Sequence, residues 1–460
     1  MLNYTKLTQD QRIDEAKKLL LDAVRDHSSA LTEPRRANPA LVDKFEETMN
    51  QAEEARGRGM FFPYLGSGIG NGPLVELADG SVKLDFISGI GVHVLGHSHP
   101  LIVEAGIDAA LSDTVMQGNL QMNTDAIEIS RTLLELANRN GANLGHCFLS
   151  TSGAMANENA LKIAFQNKCP ASRILAFKGA FAGRSMSTAY ITDRPSYRKG
   201  LPDTITVDHV PYFDHTRPEE SADETIAAID ALLAEHPGQY AAMIIEPIMG
   251  EGGFYQGSTA YFEKLMTYLK QADVLVIMDE IQSFGRTSSP FAFQHFGLDR
   301  FADIVTLGKM TQLCATLYRR ELNPDPALLS QTFSGSTSSI RAGMAILNEL
   351  QQGGYFGDDG KILRLGNYFT AKLKEIGERH PGTVSGPYGL GGMIGFTPFD
   401  GDSEKASALV KRMFDAGLLG FPAGNIPARI RFLLPYGAID VEDIDVACQI
   451  LEQTIVDFPR

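Results

Sequence analysis

Five apolar residues that stop abruptly at two carboxylates constrain this chain more than any other stretch. Val274-Leu275-Val276-Ile277-Met278 runs directly into Asp279-Glu280-Ile281-Gln282. An unbroken apolar run rich in β-branched residues reads as a strand buried on both faces, as in parallel sheets covered by helices. Acids at the carboxyl end of such a strand stand where open α/β sheets bind ligands. A second run, Asp303-Ile304-Val305-Thr306-Leu307, stops at Gly308 and delivers Lys309 to the same edge. An acid and an amine arriving there point to a charged cofactor.

The totals set outer limits. A chain of 460 residues, 43% hydrophobic and 21% charged, can bury a large core and hold roughly two or three domains. Its net charge of -15, from 41 Lys+Arg against 56 Asp+Glu, argues against a nucleic-acid or anionic-membrane partner. Cys147, Cys169, Cys314 and Cys448 form no CxxC pair, so neither a disulfide framework nor a zinc site is expected, and the setting reads as cytoplasmic. No apolar run approaches membrane-spanning length, and the polar start of the chain lacks a signal-type apolar region.

Along the chain, residues 12 to 26 carry Ile13, Ala16, Leu20, Ala23 and Val24 at helical spacing. Asn38-Pro39 opens a second helix and Gly57 closes it. Gly66, Gly68, Gly70 and Gly72 alternate with no preceding strand and no Gly-Lys-Ser/Thr close, which predicts a surface loop rather than a phosphate cradle. Residues 74 to 86 predict a hairpin around Ala78-Asp79-Gly80. His93, His97 and His99 fall within seven residues, but a glycine-rich setting without acids favours structural hydrogen bonding over a metal, and no metal site is expected. From Pro100 helices and strands alternate as a parallel sheet with crossovers requires, with strands expected at 146 to 150, 173 to 177, 205 to 209, 241 to 246, 274 to 279 and 303 to 307. Beyond about residue 340 the pattern changes to a smaller α+β domain. The expected organisation is 1–95 as helical segment and hairpin joined to the small domain, 96–340 as the large domain, and 341–460 as the small one.

Several strand ends carry chemistry to one edge. Strand 146 to 150 enters Ser152-Gly153-Ala154 and a helix, where free N–H groups and the helix dipole suit a phosphate; taken alone this reads as an ordinary N-cap. Strand 173 to 177 leads to Phe181 and Arg184, which also fit a core ring and a solvated charge. Strand 241 to 246 ends in Glu246-Pro247 and a glycine-rich turn with Glu251. Gln282 follows Asp279, and Lys309 completes the set. A planar pyridine with a phosphate uses every part: Asp279 for the ring nitrogen, Lys309 for a Schiff base, Phe181 for stacking, and Ser152 to Ala154 for the phosphate. The combination points to pyridoxal 5'-phosphate.

The same residues resemble the class III aminotransferases, a pyridoxal-phosphate fold-type I group that includes acetylornithine, ornithine, 4-aminobutyrate and lysine ε-aminotransferases. The likeness runs from about Leu74 to the C-terminus through Gly96-His97-Ser98-His99-Pro100, Ser152-Gly153-Ala154, Asn157-Glu158, Ala180-Phe181-Ala182-Gly183-Arg184, Glu246-Pro247, Asp279-Glu280-Ile281-Gln282, Phe284-Gly285-Arg286-Thr287, Leu307-Gly308-Lys309, Thr332-Phe333 and Arg431-Phe432. It implies a large domain with a mostly parallel seven-stranded-type sheet flanked by helices, plus a smaller α+β domain. It also implies that Gln282 bonds the ring's phenolic oxygen and that Thr332 reaches the phosphate of a partner subunit in a homodimer. It implies further that Arg184 and Arg431 bind substrate carboxylates, with Glu251 covering Arg431. The expected reaction moves an amino group from an ω-amino acid of lysine, ornithine or acetylornithine type to a 2-oxoacid, 2-oxoglutarate first, by a ping-pong route. A racemase, aminomutase or decarboxylase of the same fold is the alternative, and a silent binding protein a third reading. Gly308 through Cys314 is similar to the lysine ε-aminotransferase branch. Ala182, Met249 and a loop shortened after Gln282 depart from the family pattern on the substrate side.

Overall fold

Seven strands of one unit form the sheet whose ends lead to Ser152, Phe181, Glu251, Asp279, Gln282 and Lys309. The computed structural model describes residues 1–113, 116–118, 120–424 and 427–459. One unit comprises Thr114–Leu363 with Gly389–Gly391; the other comprises Met1–Asp113, Arg364–Tyr388 and Gly392–Arg460.

In the first unit the strands are β1 (Leu144–Ser150), β2 (Arg173–Phe177), β3 (Thr206–Val210), β4 (Tyr240–Ile245), β5 (Leu275–Glu280), β6 (Ile304–Leu307) and β7 (Cys314–Arg319). Their spatial order is β1-β7-β6-β5-β4-β2-β3. Neighbours β3, β2, β4, β5 and β6 run parallel, and β7 lies antiparallel between β6 and β1. Register places Asp279 beside Thr306 and Met278 beside Ile245. Val276, Ile277 and Met278 are wholly buried, as the apolar run requires.

Helices cover the sheet. Helix α1 (Gly153–Asn167) crosses from β1 to β2 and buries Ala160, Leu161, Ile163 and Ala164 against Ile174, Ala242, Ile244, Ile277 and Ile304. Burying each aliphatic side chain contributes about 1.5–3 kcal/mol, so truncating Ile163 or Ile244 to Ala costs about 2–5 kcal/mol. Helices α2 (Pro218–Glu235) and α3 (Thr259–Gln271) supply further crossovers.

β7 is absent from the sequence expectation. Lys309 and Gln312 both take left-handed backbone conformations, φ 54° and 55°, and reverse the chain within the short turn Lys309–Thr311. The strand therefore returns beside β6.

In the second unit Gln11–Ser28 is helical and is N-capped by Asp10, whose side chain accepts from Arg12 N. Lys17 Nζ ties it to Glu104 and Asp108 on the helix Pro100–Ala110, each at 2.9 Å. Asn38 caps the helix Pro39–Arg56, and Gly57 ends it at φ 73°. The glycine run predicted as a loop is instead a strand, Gly66–Asn71, paired antiparallel with Leu74–Leu77. A side chain on Gly70 would meet His97 Cβ at 2.3 Å and the Leu74 carbonyl at 2.5 Å, so the glycine serves close packing, not mobility. His97 Nε2 meets Asp85 Oδ2 at 2.9 Å and His99 caps its helix by accepting from Leu101 N at 3.3 Å, so both rings serve structural hydrogen bonds. Arg429–Leu433 pairs antiparallel with Met393–Pro398 and with Phe421–Ala423.

Candidate active site

The carboxyl ends of β1, β2, β4, β5 and β6 converge on one edge, each contributing a short turn. At its centre Asp279 is 5% exposed. Its Oδ2 accepts from Asn157 Nδ2 at 2.7 Å and its Oδ1 from the Ile281 N–H at 3.0 Å. Asn157 donates its second amide hydrogen to the Ala182 carbonyl at 2.8 Å and accepts from Thr306 Oγ1 at 2.7 Å. Its side chain thus joins α1, β5, β6 and the turn after β2. Glu246, at the end of β4, accepts from the Phe181 N–H and the Gly250 N–H, both at 2.9 Å. Glu280 is fully buried and accepts from Ser283 Oγ and from Phe293 N at 2.8 Å, a structural duty that turns it away from the site.

Burial dominates the electrostatics of the acids at this edge. Burial pushes the Asp279 carboxyl up to about 6, against the pull of the Ile281 N–H, the Asn157 amide and the Lys309 ammonium. Burial and then the neighbouring Asp279 charge push Glu246 up to about 8, against two backbone donors and Lys309. Lys309 sits half-buried on a left-handed residue, a conformation that costs of order 1–3 kcal/mol and concentrates at functional sites. Behind it the Cys314 thiol is pushed up to about 11 by burial, although the Lys309 backbone N–H and ammonium act the other way.

The remaining expected residues take clear places. Ser152 caps α1, its Oγ accepting from Met155 N at 3.3 Å, and Gly153 and Ala154 form the first helical turn. A side chain on Gly153 would meet Ile281 Cγ2 at 2.8 Å. Gln282 overlies Gly250, where a Cβ would fall 2.4 Å from Gln282 Oε1. Glu251 is half-buried in the turn Gly250–Gly253. Arg184 is exposed, its guanidinium 4.0 Å from the Tyr197 ring centroid. Thr332 is exposed in the loop before the short strand Gly335–Ser336. Arg431 belongs to the other unit, buried in Arg429–Leu433 opposite Gly395 and Phe421. Two members of the cluster escaped the sequence reading as functional groups. Glu246 carries the same signal as Asp279, an acid directly after a buried run, and Asn157 is an amide on the buried face of an alanine-rich helix.

Comparison with known proteins identifies the scaffold. Residues 64–455 match the sequence model of the family described as aminotransferase class-III. The chain is a class III aminotransferase. Acetylornithine aminotransferase of Aquifex aeolicus is 31% identical over 402 residues, 84% of this chain and 96% of that protein. Its counterpart in Caldanaerobacter subterraneus subsp. tengcongensis is 30% identical over 399 residues, covering 84% and 93%. Among solved structures, the lysine aminotransferase of Mycobacterium tuberculosis shares the fold with a TM-score of 0.78 at 24% identity, covering 88% of this chain and 98% of that one.

Class III aminotransferases depend on pyridoxal 5'-phosphate. The residues present fit it: a buried carboxylate with a raised pKa suits a protonated pyridine, the start of α1 suits a phosphate, and an amine stands at the same edge. No helix among the described residues is long and apolar enough to cross a membrane.

Proposed function

We propose that this aminotransferase takes the terminal amino group of an ω-amino acid of lysine, ornithine or acetylornithine type and passes it to a 2-oxoacid, with 2-oxoglutarate the best-fitting acceptor. The observation that carries the assignment of roles is the buried Asp279 carboxylate, braced by Asn157 and Ile281 within the field of Lys309. When bound, the cofactor supplies an electron sink for moving an amino group between substrates. Asp279 would hold a proton at the ring nitrogen. Lys309 would hold the cofactor through its Nζ and, once substrate frees that amine, would take up and return a proton there. Phe181 would cover a ring face, Gln282 would bond the phenolic oxygen, and Ser152, Gly153 and Ala154 would receive the phosphate. Arg184 and Arg431 bind substrate carboxylates as planar forks, and Glu251 competes for Arg431 in the donor half-reaction.

A homodimer completes the reading, with Thr332 serving the partner's phosphate. Its support is exposed apolar side chains on the two segments that meet where a Cβ on Gly118 would lie 2.8 Å from the Thr332 carbonyl: Leu120 at 98%, Met122 at 66% and Phe333 at 57%. Four free cysteines support a cytoplasmic setting.

Steady-state rates with lysine, ornithine and acetylornithine, each paired with 2-oxoglutarate or pyruvate, test the substrate assignment. Arg431→Ala is expected to raise the KM for 2-oxoglutarate by of order 10²-fold, as loss of a buried charge partner does. An unchanged KM, or a parent enzyme that prefers pyruvate, contradicts it.

A further inference from the structure

Glu246, unlike Glu280, is not turned away into the core, and the proposed chemistry gives it no role. Its two carboxylate oxygens receive N–H donors from two different turns: Oε1 from Phe181, in the turn after β2, and Oε2 from Gly250, in the turn that carries Glu251. The same turns touch again farther out. A Cβ on Gly252 would lie 3.0 Å from the Gly179 carbonyl, and one on Gly179 would lie 3.2 Å from Met249 Cε. The backbones therefore approach as closely as glycines allow, with the Met249 methyl filling the gap. A single carboxylate bridging two loops in a poorly hydrated setting is a stiff link, because each oxygen has one partner and no rotamer keeps only half of the arrangement satisfied.

We propose that Glu246 is a positioning residue that locks the turn bearing Phe181 to the turn bearing Glu251, so that the face presented to the cofactor ring and the acid presented to substrate carboxylates move as one body. The inference rests on the roles proposed above for Phe181 and Glu251. A glutamine at this position offers one acceptor oxygen, and its amide hydrogens would face the second backbone N–H. One turn must then come free.

The test compares parent and Glu246→Gln as cofactor-loaded enzymes, by hydrogen–deuterium exchange and by kinetics at saturating cofactor. Expected are faster exchange in segments 178–184 and 248–254 together, unchanged exchange in β4 and β5, and a KM for both amino donor and 2-oxoglutarate raised about tenfold with kcat within about twofold. Unchanged exchange in these turns, or a general loosening with unaltered KM, overturns the proposal. If the variant does not fold, the parent decides: the Phe181 and Gly250 amides should share one opening rate, and independent rates overturn the lock. Glu251→Gln separates the two layers of argument. If it leaves the 2-oxoglutarate KM unaltered the substrate switch fails, while the exchange data still decide the lock.

Discussion

Asn157 commits both amide hydrogens and its carbonyl oxygen to three partners, and what it holds is the acid that most defines the site. Replacing it with alanine strands the Ala182 carbonyl and Thr306 Oγ1 in a buried setting, at a cost of about 1–3 kcal/mol, and frees Asp279 to turn. Asn157→Ala is therefore expected to lower the melting temperature and weaken cofactor binding, read by thermal denaturation and absorbance titration; parent-like cofactor affinity would show that Asp279 needs no brace. Lys309→Ala bears on the chemistry itself. Turnover should fall by at least about 10³-fold while the cofactor remains bound, and a variant of near-parent activity refutes the role given to its amine.

At the scale of elements, the passage from β6 through Lys309 to β7 shows how local backbone geometry sets the site. Gly308 has an extended backbone that any residue could adopt, yet a Cβ there would lie 2.5 Å from Cys314 Sγ. Gly308→Ala should lower both stability and activity, and adding Cys314→Ala should recover much of the loss, a coupling of about 0.5–3 kcal/mol in a double-mutant cycle. Additive effects contradict this packing. Six strands of the sheet were legible because the runs that lead to Ser150, Lys178, Glu246, Asp279 and Lys309 are apolar and stop at polar or charged residues. β7 was not, because the reversal depends on left-handed lysine and glutamine residues that no composition announces. The strand Gly66–Asn71 was read as a loop because no strand precedes it and no Gly-Lys-Ser/Thr closes it; the approach of His97 explains Gly70, and a left-handed φ of 107° explains Gly68. The roles of Glu246 and Asn157 depend on which loops meet, which spacing along the chain does not encode.

For the whole molecule, the proposed homodimer rests on the exposed Leu120, Met122 and Phe333. Phe333→Asp should shift the protein towards monomer in light scattering and lose activity in parallel; a parent enzyme that is already monomeric and active contradicts the shared site. Three acids at the sheet edge, buried Asp279 and Glu280 and half-buried Glu246, set a second global property. Asp279, Glu280 and Glu246 are raised from 3.8, 4.5 and 4.5 to about 6, 7 and 8 in the folded protein, so folding favours their protonated forms. Their contribution to stability is full below pH about 4 and is lost as pH rises through those folded values. The cofactor-free protein should accordingly show a melting temperature that falls between about pH 4 and 8. Added cofactor should flatten that slope, because a pyridinium beside Asp279 favours its ionised form. An equal slope with and without cofactor contradicts the pairing.

The most direct measurement follows the visible absorbance of the cofactor-loaded enzyme through each half-reaction separately. The account predicts that lysine, ornithine or acetylornithine alone removes the cofactor band and that 2-oxoglutarate then restores it. A band that no donor removes, or one that pyruvate restores and 2-oxoglutarate does not, contradicts it.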